Sequence, residues 1–306
     1  MFASLLSPKV VIAALFVASA LYVHLRGRVR HGFARQLTDH STFLAPINAL
    51  LYLSSKVPAR PYLDPADFPE LAPLQANWQT IRDEALQLYS GGRITVATGY
   101  NDVGFNSFFK TGWTRFYLTW YGESLPSALA ACPQTMALLQ SIPSIKAAMF
   151  AVLPPGATLP RHRDPYAGSL RYHLGLRTAN SPACYIDVDG ERRHWRDGEV
   201  LMFDETFIHF ARNDTDVQRV ILFCDVERPL NNPLARAFNR LVRATMMNAS
   251  ASANVPGERI GGVNRLFSRV IGIRLWGKRL KARSRFWYYA LKYAVLAALV
   301  ALFIWA

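Results

Sequence analysis

Cysteine and acidic side chains are the scarce residue classes in this sequence. The three cysteines, Cys132, Cys184 and Cys224, are odd in number, widely spaced and set among apolar residues. This pattern excludes a disulfide framework and a thiolate zinc site, and it predicts reduced core residues. Only 21 acidic residues face 35 lysines and arginines, so the formal net charge is +14, and 51% of the residues are hydrophobic. Strong basicity with high apolar content indicates an anionic membrane as partner and no nucleic acid.

The first apolar run, residues 10–25, has two interpretations. A cleaved signal peptide is one, because Ala18-Ser19-Ala20 matches a small-x-small cleavage pattern. An uncleaved anchor is the other, because four arginines follow between positions 26 and 35 and positive charge marks the cytoplasmic side. The charge bias favours the anchor. The run is short for a span, so a full span and an interfacial anchor both remain open.

Residues 286–306 form a second, longer apolar run. Its one charge, Lys292, lies within reach of the near interface, and aromatic residues occur at both ends of the run. Lysines and arginines precede it, which predicts a transmembrane helix whose amino-terminal side is cytoplasmic. Upstream, residues 230–285 contain a single acid, Glu258, and apolar residues at helical spacing. These predict basic amphipathic helices, either on an anionic leaflet or packed on the domain with a solvated face, and the adjacent span favours the leaflet.

The middle of the chain has the texture of an all-β domain. Short segments at residues 147–153, 170–177, 183–188, 192–195, 199–203 and 217–226 are predicted strands, and Asp189-Gly190 predicts a tight hairpin. Many short antiparallel strands without intervening helices indicate a sandwich or jelly roll. Two helices are predicted before them, at residues 71–89 and 131–142, and four prolines between positions 58 and 69 predict a stiff, extended linker.

Three histidines and two charged residues in this domain have the spacing of a metal site. His162 and Asp164 are two residues apart and would project to one face of an extended segment, and His209 returns after several strands. Two imidazoles and one carboxylate hold Fe(II) with three positions open, two for the keto acid end of 2-oxoglutarate and one for dioxygen. The far carboxylate of that cosubstrate needs a cation, for which Arg219 is the candidate, with His173 as a second contact. A zinc hydrolase is the rival interpretation, but it needs no such arginine.

These residues also carry a family resemblance. The runs at residues 162–166, 170–176 and 198–209, with Arg219 and the glycine- and aromatic-rich stretch 101–122, resemble the aspartyl/asparaginyl beta-hydroxylase family of Fe(II)/2-oxoglutarate dioxygenases. The resemblance covers roughly residues 58–229 and implies a double-stranded β-helix fold. It implies that His162 and His209 bind the metal, that His173 and Arg219 contact 2-oxoglutarate and that Arg171 contacts substrate. Asp164 departs from the animal protein-modifying members, which have glycine there, so the full triad is available here.

Within this family the membrane segments favour the bacterial branch that hydroxylates lipid A at C2 of a secondary acyl chain. The expected partners are lipid A or a related anionic lipid and the inner membrane, with the catalytic domain facing the cytoplasm. A membrane-tethered hydroxylase of protein Asp or Asn residues and a non-catalytic metal-binding jelly roll are the alternatives. The expected segments are an anchor (1–30), an interfacial segment (31–57), the dioxygenase domain (58–229), basic membrane-proximal helices (230–285) and a transmembrane helix (286–306).

Overall fold

Eleven strands in two antiparallel sheets form the centre of the computed structural model, which describes residues 7–97 and 101–305. Residues 1–6 and Ala306, which the predicted anchor and carboxyl-terminal span include, and residues 98–100 lie outside that description. The strands are β1 Tyr62–Leu63, β2 Thr114–Trp120, β3 Glu123–Ser124, β4 Ile145–Leu153, β5 Thr158–His162, β6 Ser169–Arg177, β7 Cys184–Val188, β8 Glu191–His194, β9 Val200–Phe203, β10 His209–Asn213 and β11 Arg219–Glu227.

The strand order is that of a jelly roll. The larger sheet runs β1-β9-β6-β11-β4-β2-β3, and the smaller sheet runs β5-β10-β7-β8. From β4 to β11 the chain passes back and forth between the two sheets, which is the winding of a double-stranded β-helix. The predicted fold class is confirmed. The hairpin at Asp189-Gly190 is also confirmed, since both residues have positive φ angles of 55° and 87°.

Along the chain, helices precede the strands, lie between some of them and follow them. The helices are α1 Pro8–Leu25, α2 Phe33–Gln36, α3 His40–Phe43, α4 Ala45–Leu53, α5 Ala72–Ala76, α6 Trp78–Ser90, α7 Pro126–Ala131, α8 Pro133–Gln140, α9 Pro233–Val242, α10 Gly262–Arg283 and α11 Arg285–Trp305. Buried apolar residues of α6 and α8 join the core of the larger sheet, which explains why β4 is almost continuously apolar. All three cysteines are free and buried, as predicted.

Three local predictions need correction. The predicted helix 71–89 is divided at Asn77, which separates α5 from α6. The predicted helix 131–142 begins only at Pro133, because Cys132, with φ −136° and ψ 56°, is not helical and ends α7. The proline-rich segment is no free linker. Tyr62 and Leu63 pair with β9, and Phe68 and Leu71 are buried in the main core. Proline lacks one backbone donor, but it does not prevent a segment from packing.

The two terminal helices differ from the others in their surroundings. Residues Pro8–Leu25 and Arg285–Leu302 are long and apolar enough to cross a membrane, judged by length and composition. Only 6% of the first window and none of the second is buried inside the protein. Neither is therefore a core helix of the domain. The end of α1 nevertheless reaches the domain, because Arg26 forms an ion pair of 2.6 Å with buried Asp204.

Candidate active site

The two histidines of the predicted triad lie opposite each other because the smaller sheet pairs their backbones. His162 ends β5, His209 begins β10, and the two are partners in the register. Their ring centroids are 4.2 Å apart. Asp164 follows in the loop after β5, where its backbone N–H donates to the Glu205 carbonyl oxygen at 2.9 Å. One ligand atom from each of His162, Asp164 and His209 lies within 4.8 Å of the others.

Backbone carbonyl groups select the ligating nitrogen of each histidine. His162 donates from Nδ1 to the Pro160 carbonyl at 2.7 Å, and His209 donates from Nδ1 to the Phe207 carbonyl at 2.9 Å. Each Nε2 therefore keeps a free lone pair for a metal. Burial lowers the pKa of His162, and burial together with His162 lowers the pKa of His209 to about 3. Both rings are neutral at neutral pH, which is the form that ligates.

The two oxygens of Asp164 have different tasks. Oδ2 accepts a hydrogen bond of 2.5 Å from Arg171, whereas Oδ1 lies 3.6 Å from Nε2 of His162. Burial would raise the pKa of Asp164, but Arg171 and the histidines outweigh it and the pKa is lowered. Asp164 is therefore ionised, with one oxygen held and the other facing the histidines.

Arg171 is the centre of a buried group of acids. Its side chain forms ion pairs with Asp164, Glu205 and Asp225. Ser169 donates to Glu205 at 2.7 Å, and burial raises the pKa of Glu205 to about 8. These contacts make Arg171 a positioning residue for Asp164, and its predicted contact with substrate stays a prediction.

The donor set fits a divalent transition metal. Two neutral imidazole nitrogens and one carboxylate oxygen converge, and this set leaves further coordination positions open, as in non-haem Fe(II) sites. Of the three acids around Arg171, only Asp164 belongs to this donor set. Burial raises the pKa of both Glu205 and Asp225, whereas the pKa of Asp164 is lowered, so Asp164 is the acid that is ready to ligate a cation.

A cavity of about 40 Å³ extends from the three candidate ligands to Arg219. Arg219 begins β11, is only 2% exposed, and its guanidinium carbon lies 4.2 Å from the ring centroid of Trp195. Among the described residues it has no ion-pair partner, and its Nε has no hydrogen-bond partner. Burial lowers the pKa of Arg219 to about 10. A buried cation without a counter-ion is costly, so this end of the cavity fits an anionic ligand.

His173 adds a second unused donor to the same cavity. Trp195 donates from Nε1 to Nδ1 of His173 at 3.4 Å, so the ring proton of neutral His173 sits on Nε2. Burial holds the pKa of His173 well below its ordinary value, and the buried Nε2 has no partner in the part of the chain that the structure describes. Arg219 and His173 together can hold a carboxylate, which fits the far end of 2-oxoglutarate.

Residues before position 49, which no motif marked, hold the ligand loop 161–167. Asn48 in α4 donates to the Pro165 carbonyl at 2.8 Å and accepts from the Ala167 N–H at 2.9 Å. Asn48 is 1% exposed, and a polar residue within an apolar helical run was the available signal. Three further hydrogen bonds tie this segment to the loop: Arg35 to the Arg161 carbonyl at 2.6 Å, His40 to the Arg163 carbonyl at 2.9 Å, and Arg163 to the Val23 carbonyl at 2.9 Å.

Comparison with known proteins finds a family model that covers this site, and proteins with similar sequences. A family model described as aspartyl/asparaginyl beta-hydroxylase matches residues 75–229. An ornithine lipid ester-linked acyl 2-hydroxylase of Rhizobium tropici is 37% identical over 191 residues, which cover 61% of this chain and 66% of that protein. The human aspartate beta-hydroxylase domain-containing protein 2 is 32% identical over 217 residues, which cover 66% of this chain and 57% of that protein. The chain thus spans less than two thirds of the length of these relatives.

Two solved structures match this chain at low sequence identity. A prolyl-4-hydroxylase of Pseudomonas putida is 18% identical, with a TM-score of 0.33, over 51% of this chain and 88% of that chain. A cupin domain of a transcriptional regulator from Enterobacter cloacae is 14% identical, with a TM-score of 0.28, over 38% of this chain and 98% of that chain.

Proposed function

Because the chain belongs to the aspartyl/asparaginyl beta-hydroxylase family, we propose that it is a membrane-bound Fe(II)/2-oxoglutarate-dependent dioxygenase that hydroxylates an acyl chain of a membrane lipid. The observation that carries the proposal is the buried Arg219, which has no ion-pair partner among the described residues, in one cavity with a His-Asp-His cluster. A metal-binding module or a zinc hydrolase needs the metal but not the Arg219 guanidinium. A dicarboxylate cosubstrate, in contrast, needs a cation for its far carboxylate.

Each residue of the site has a defined task in the proposed enzyme. His162 and His209 ligate Fe(II) through Nε2, and Asp164 ligates it through the oxygen that Arg171 leaves free. Arg219 and His173 bind the far carboxylate of 2-oxoglutarate. When bound, Fe(II) with 2-oxoglutarate and dioxygen supplies the oxidising chemistry that converts a C–H group into C–OH. The overall reaction consumes one 2-oxoglutarate and one dioxygen and releases succinate, carbon dioxide and the hydroxylated product.

Aromatic side chains keep bulk water away from this chemistry. Phe108 lies edge-on against His162 with 4.9 Å between ring centroids, and Phe105 stacks on Trp113 at 5.0 Å. All three line the cavity that holds the ligands. An apolar wall beside the metal limits side reactions of a strong oxidant with solvent.

The proposed position of hydroxylation is the carbon next to an acyl carbonyl in a membrane lipid. The Rhizobium tropici relative is named for this position on an ester-linked chain of ornithine lipid, and the membrane segments favour a secondary acyl chain of lipid A. The two substrates share the acyl ester and differ in the head group. Hydroxylation of a protein Asp or Asn residue is the alternative that the names of the animal relatives suggest.

Location at the inner membrane, with the domain in the cytoplasm, is part of the proposal. Among the described residues, every exposed large hydrophobic side chain except Val96 and Leu129 lies outside residues 58–229. Such a distribution is typical of a water-exposed domain whose flanking segments contact lipid. The arginines after α1 and the lysines and arginines before α11 support a cytoplasmic domain.

Mass spectrometry of lipids tests the proposal. The full-length chain in detergent, with Fe(II), 2-oxoglutarate and air, is expected to add one oxygen to an acyl chain of lipid A or ornithine lipid, with one succinate formed per oxygen added. Asp164→Ala should abolish both products, and His194→Ala, on β8 away from the cavity, should not. Oxygen added to an Asp-containing peptide and to neither lipid would favour the protein hydroxylase instead.

A further inference from the structure

A second cavity adjoins the His162-Asp164-His209 cluster. Asp164 lines it, whereas the two histidines of the cluster, His173 and Arg219 do not. Its volume of about 330 Å³ falls within the roughly 300–1,000 Å³ typical of small-molecule sites. It shares Phe105, Asp164 and Arg171 with the Arg219 cavity. A molecule in this second cavity would lie directly beside the metal ligand Asp164.

The walls of this cavity are largely apolar. Leu44 comes from the end of α3, Val103 from the segment before β2, and Val242, Met246 and Val263 from the basic segment that follows the jelly roll. Those last three residues lie outside the part of the chain that the family model matches. Met246 and Val263 are 42% and 43% exposed, so they form the rim of the cavity. Methionine is flexible and adapts to an apolar ligand of variable shape.

The polar floor of the cavity is already engaged. Arg171 is paired with Asp164, Glu205 and Asp225, and Tyr121 donates to Asp225 at 2.8 Å. Arg171 is the one basic residue among the described residues that line the cavity. The described lining residues therefore leave no cation for a phosphate or carboxylate of a ligand, whereas they leave apolar surface available.

We propose that this cavity binds the acyl chain of the lipid substrate, with the reacting carbon next to Asp164 and the chain running toward Met246 and Val263. The inference rests on the proposed lipid hydroxylase function and adds where the acyl chain lies. The rim gives the reason for choosing a lipid. It lies between α9 and α10, which expose Leu241 and Leu266 by 59% and 60% beside arginines, as helices at an anionic membrane surface do. Because Met246 and Val263 are exposed at the rim, the proposed acyl chain would enter the cavity from the side of α9 and α10.

Photochemical labelling tests the position of the chain without relying on catalysis. The probe is the methyl ester of hexadecanoic acid with a diazirine near the end of its chain, which has an acyl ester and no carboxylate, added to the full-length protein in detergent without iron. Peptide mapping is expected to find the label around Met246 and Val263. Met246→Trp and Val263→Trp fill the rim and should remove this label. Leu241→Trp and Leu266→Trp change exposed neighbours outside the cavity and should keep it.

The outcomes separate this inference from the function that it builds on. Label found only on α1 and α11, label unchanged in both rim variants, or label displaced by an Asp-containing peptide would each overturn the acyl-chain site. In the lipid assay, the rim variants should shift the hydroxylated products toward shorter chains, and an unchanged chain-length profile would also overturn it. Label in the cavity without hydroxylation of any lipid would refute the proposed function and leave the acyl-chain site standing.

Discussion

Arg219 is the residue whose environment most directly demands a ligand. Its guanidinium is buried against Trp195 without an acid nearby in the described chain, so the folded protein bears the cost of that charge until an anion binds. From the sequence, a cation on the strand after His209 could be predicted. Its stacking on Trp195 could not be predicted. Trp195 directly follows β8 of the smaller sheet and Arg219 begins β11 of the larger sheet, so the contact depends on how the two sheets pack.

Replacing Arg219 should weaken the binding of 2-oxoglutarate and leave the binding of the metal unchanged. In Arg219→Met the dissociation constant for 2-oxoglutarate should rise about 30-fold or more, since loss of one partner of a buried charge pair costs roughly 2–5 kcal/mol. Calorimetric titration of the Mn(II)-loaded protein measures this constant, and Mn(II) affinity should stay unchanged. Arg177→Met, an exposed arginine at the end of β6, is the matched control. An unchanged affinity for 2-oxoglutarate would remove Arg219 from the cosubstrate site.

At the level of elements, the β-structure of the domain was predictable and the support of the ligand loop was not. Alternating short strands and turn residues such as Asp189-Gly190 are local signals, and they predict β-structure correctly. The bonds from Asn48 to loop 161–167 join residues more than a hundred positions apart. No local pattern reports such contacts, because they arise only when α4 packs on the sheets.

Asn48 should therefore affect metal affinity, because it holds the loop 161–167 in place. Asn48→Ala removes one donor and one acceptor that hold Pro165 and Ala167, and metal affinity should fall about 10-fold, in the range seen for residues that orient metal ligands. The absorption spectrum of bound Co(II) should change with it, and Asn48→Asp, which keeps the acceptor, should restore part of the affinity. Asn231→Ala, at an exposed position, is the control. A lower unfolding temperature with unaltered Co(II) affinity and spectrum would mean that Asn48 only stabilises the fold.

Asp204 links the segment after α1 to the carboxyl end of the jelly roll. Its carboxylate binds Arg26 at 2.6 Å and Arg228 at 2.8 Å, all in the interior. Burial would raise the pKa of Asp204, but Arg228 and Arg26 outweigh it and hold the pKa well below its ordinary value. A carboxyl with a depressed folded pKa stabilises fully above its unfolded value of about 4, and that contribution is lost as the pH falls further.

Asp204→Asn should lower stability at neutral pH and flatten the loss of stability in acid. Removing one partner of a buried pair costs about 3–5 kcal/mol, so the unfolding temperature in detergent should drop by several degrees at pH 7. The difference from the unsubstituted protein should shrink as the pH falls from about 4 toward 2. Asp216→Asn, at an exposed position, should behave as the unsubstituted protein at every pH. A difference that stayed constant with pH would show that the ion pairs contribute nothing to acid sensitivity.

At the scale of the whole molecule, the basic residues that flank α1 and α11 indicate how the domain is oriented at a membrane. α1 ends where Arg26 enters the domain, and α11 begins at Arg285 directly after the basic helix α10. Both helices thus carry their positive flank on the domain side, and positive flanks remain in the cytoplasm. The two helices are expected to leave the cytoplasmic domain in the same direction across the bilayer.

This topology predicts opposite behaviour for reporters placed on the two sides of α11. Alkaline phosphatase, which is active only outside the cytoplasm, should be active when fused after Trp305 and inactive when fused after Arg283. A fluorescent protein that matures only in the cytoplasm should give the reverse pattern, and it serves as the control for expression. Replacing the basic residues of α10 between positions 278 and 283 by glutamine should weaken the preference, because these charges set the orientation. Fluorescence from the fusion after Trp305 would place that end in the cytoplasm. In that case α11 would not cross the membrane, and α1 alone would attach the domain to it.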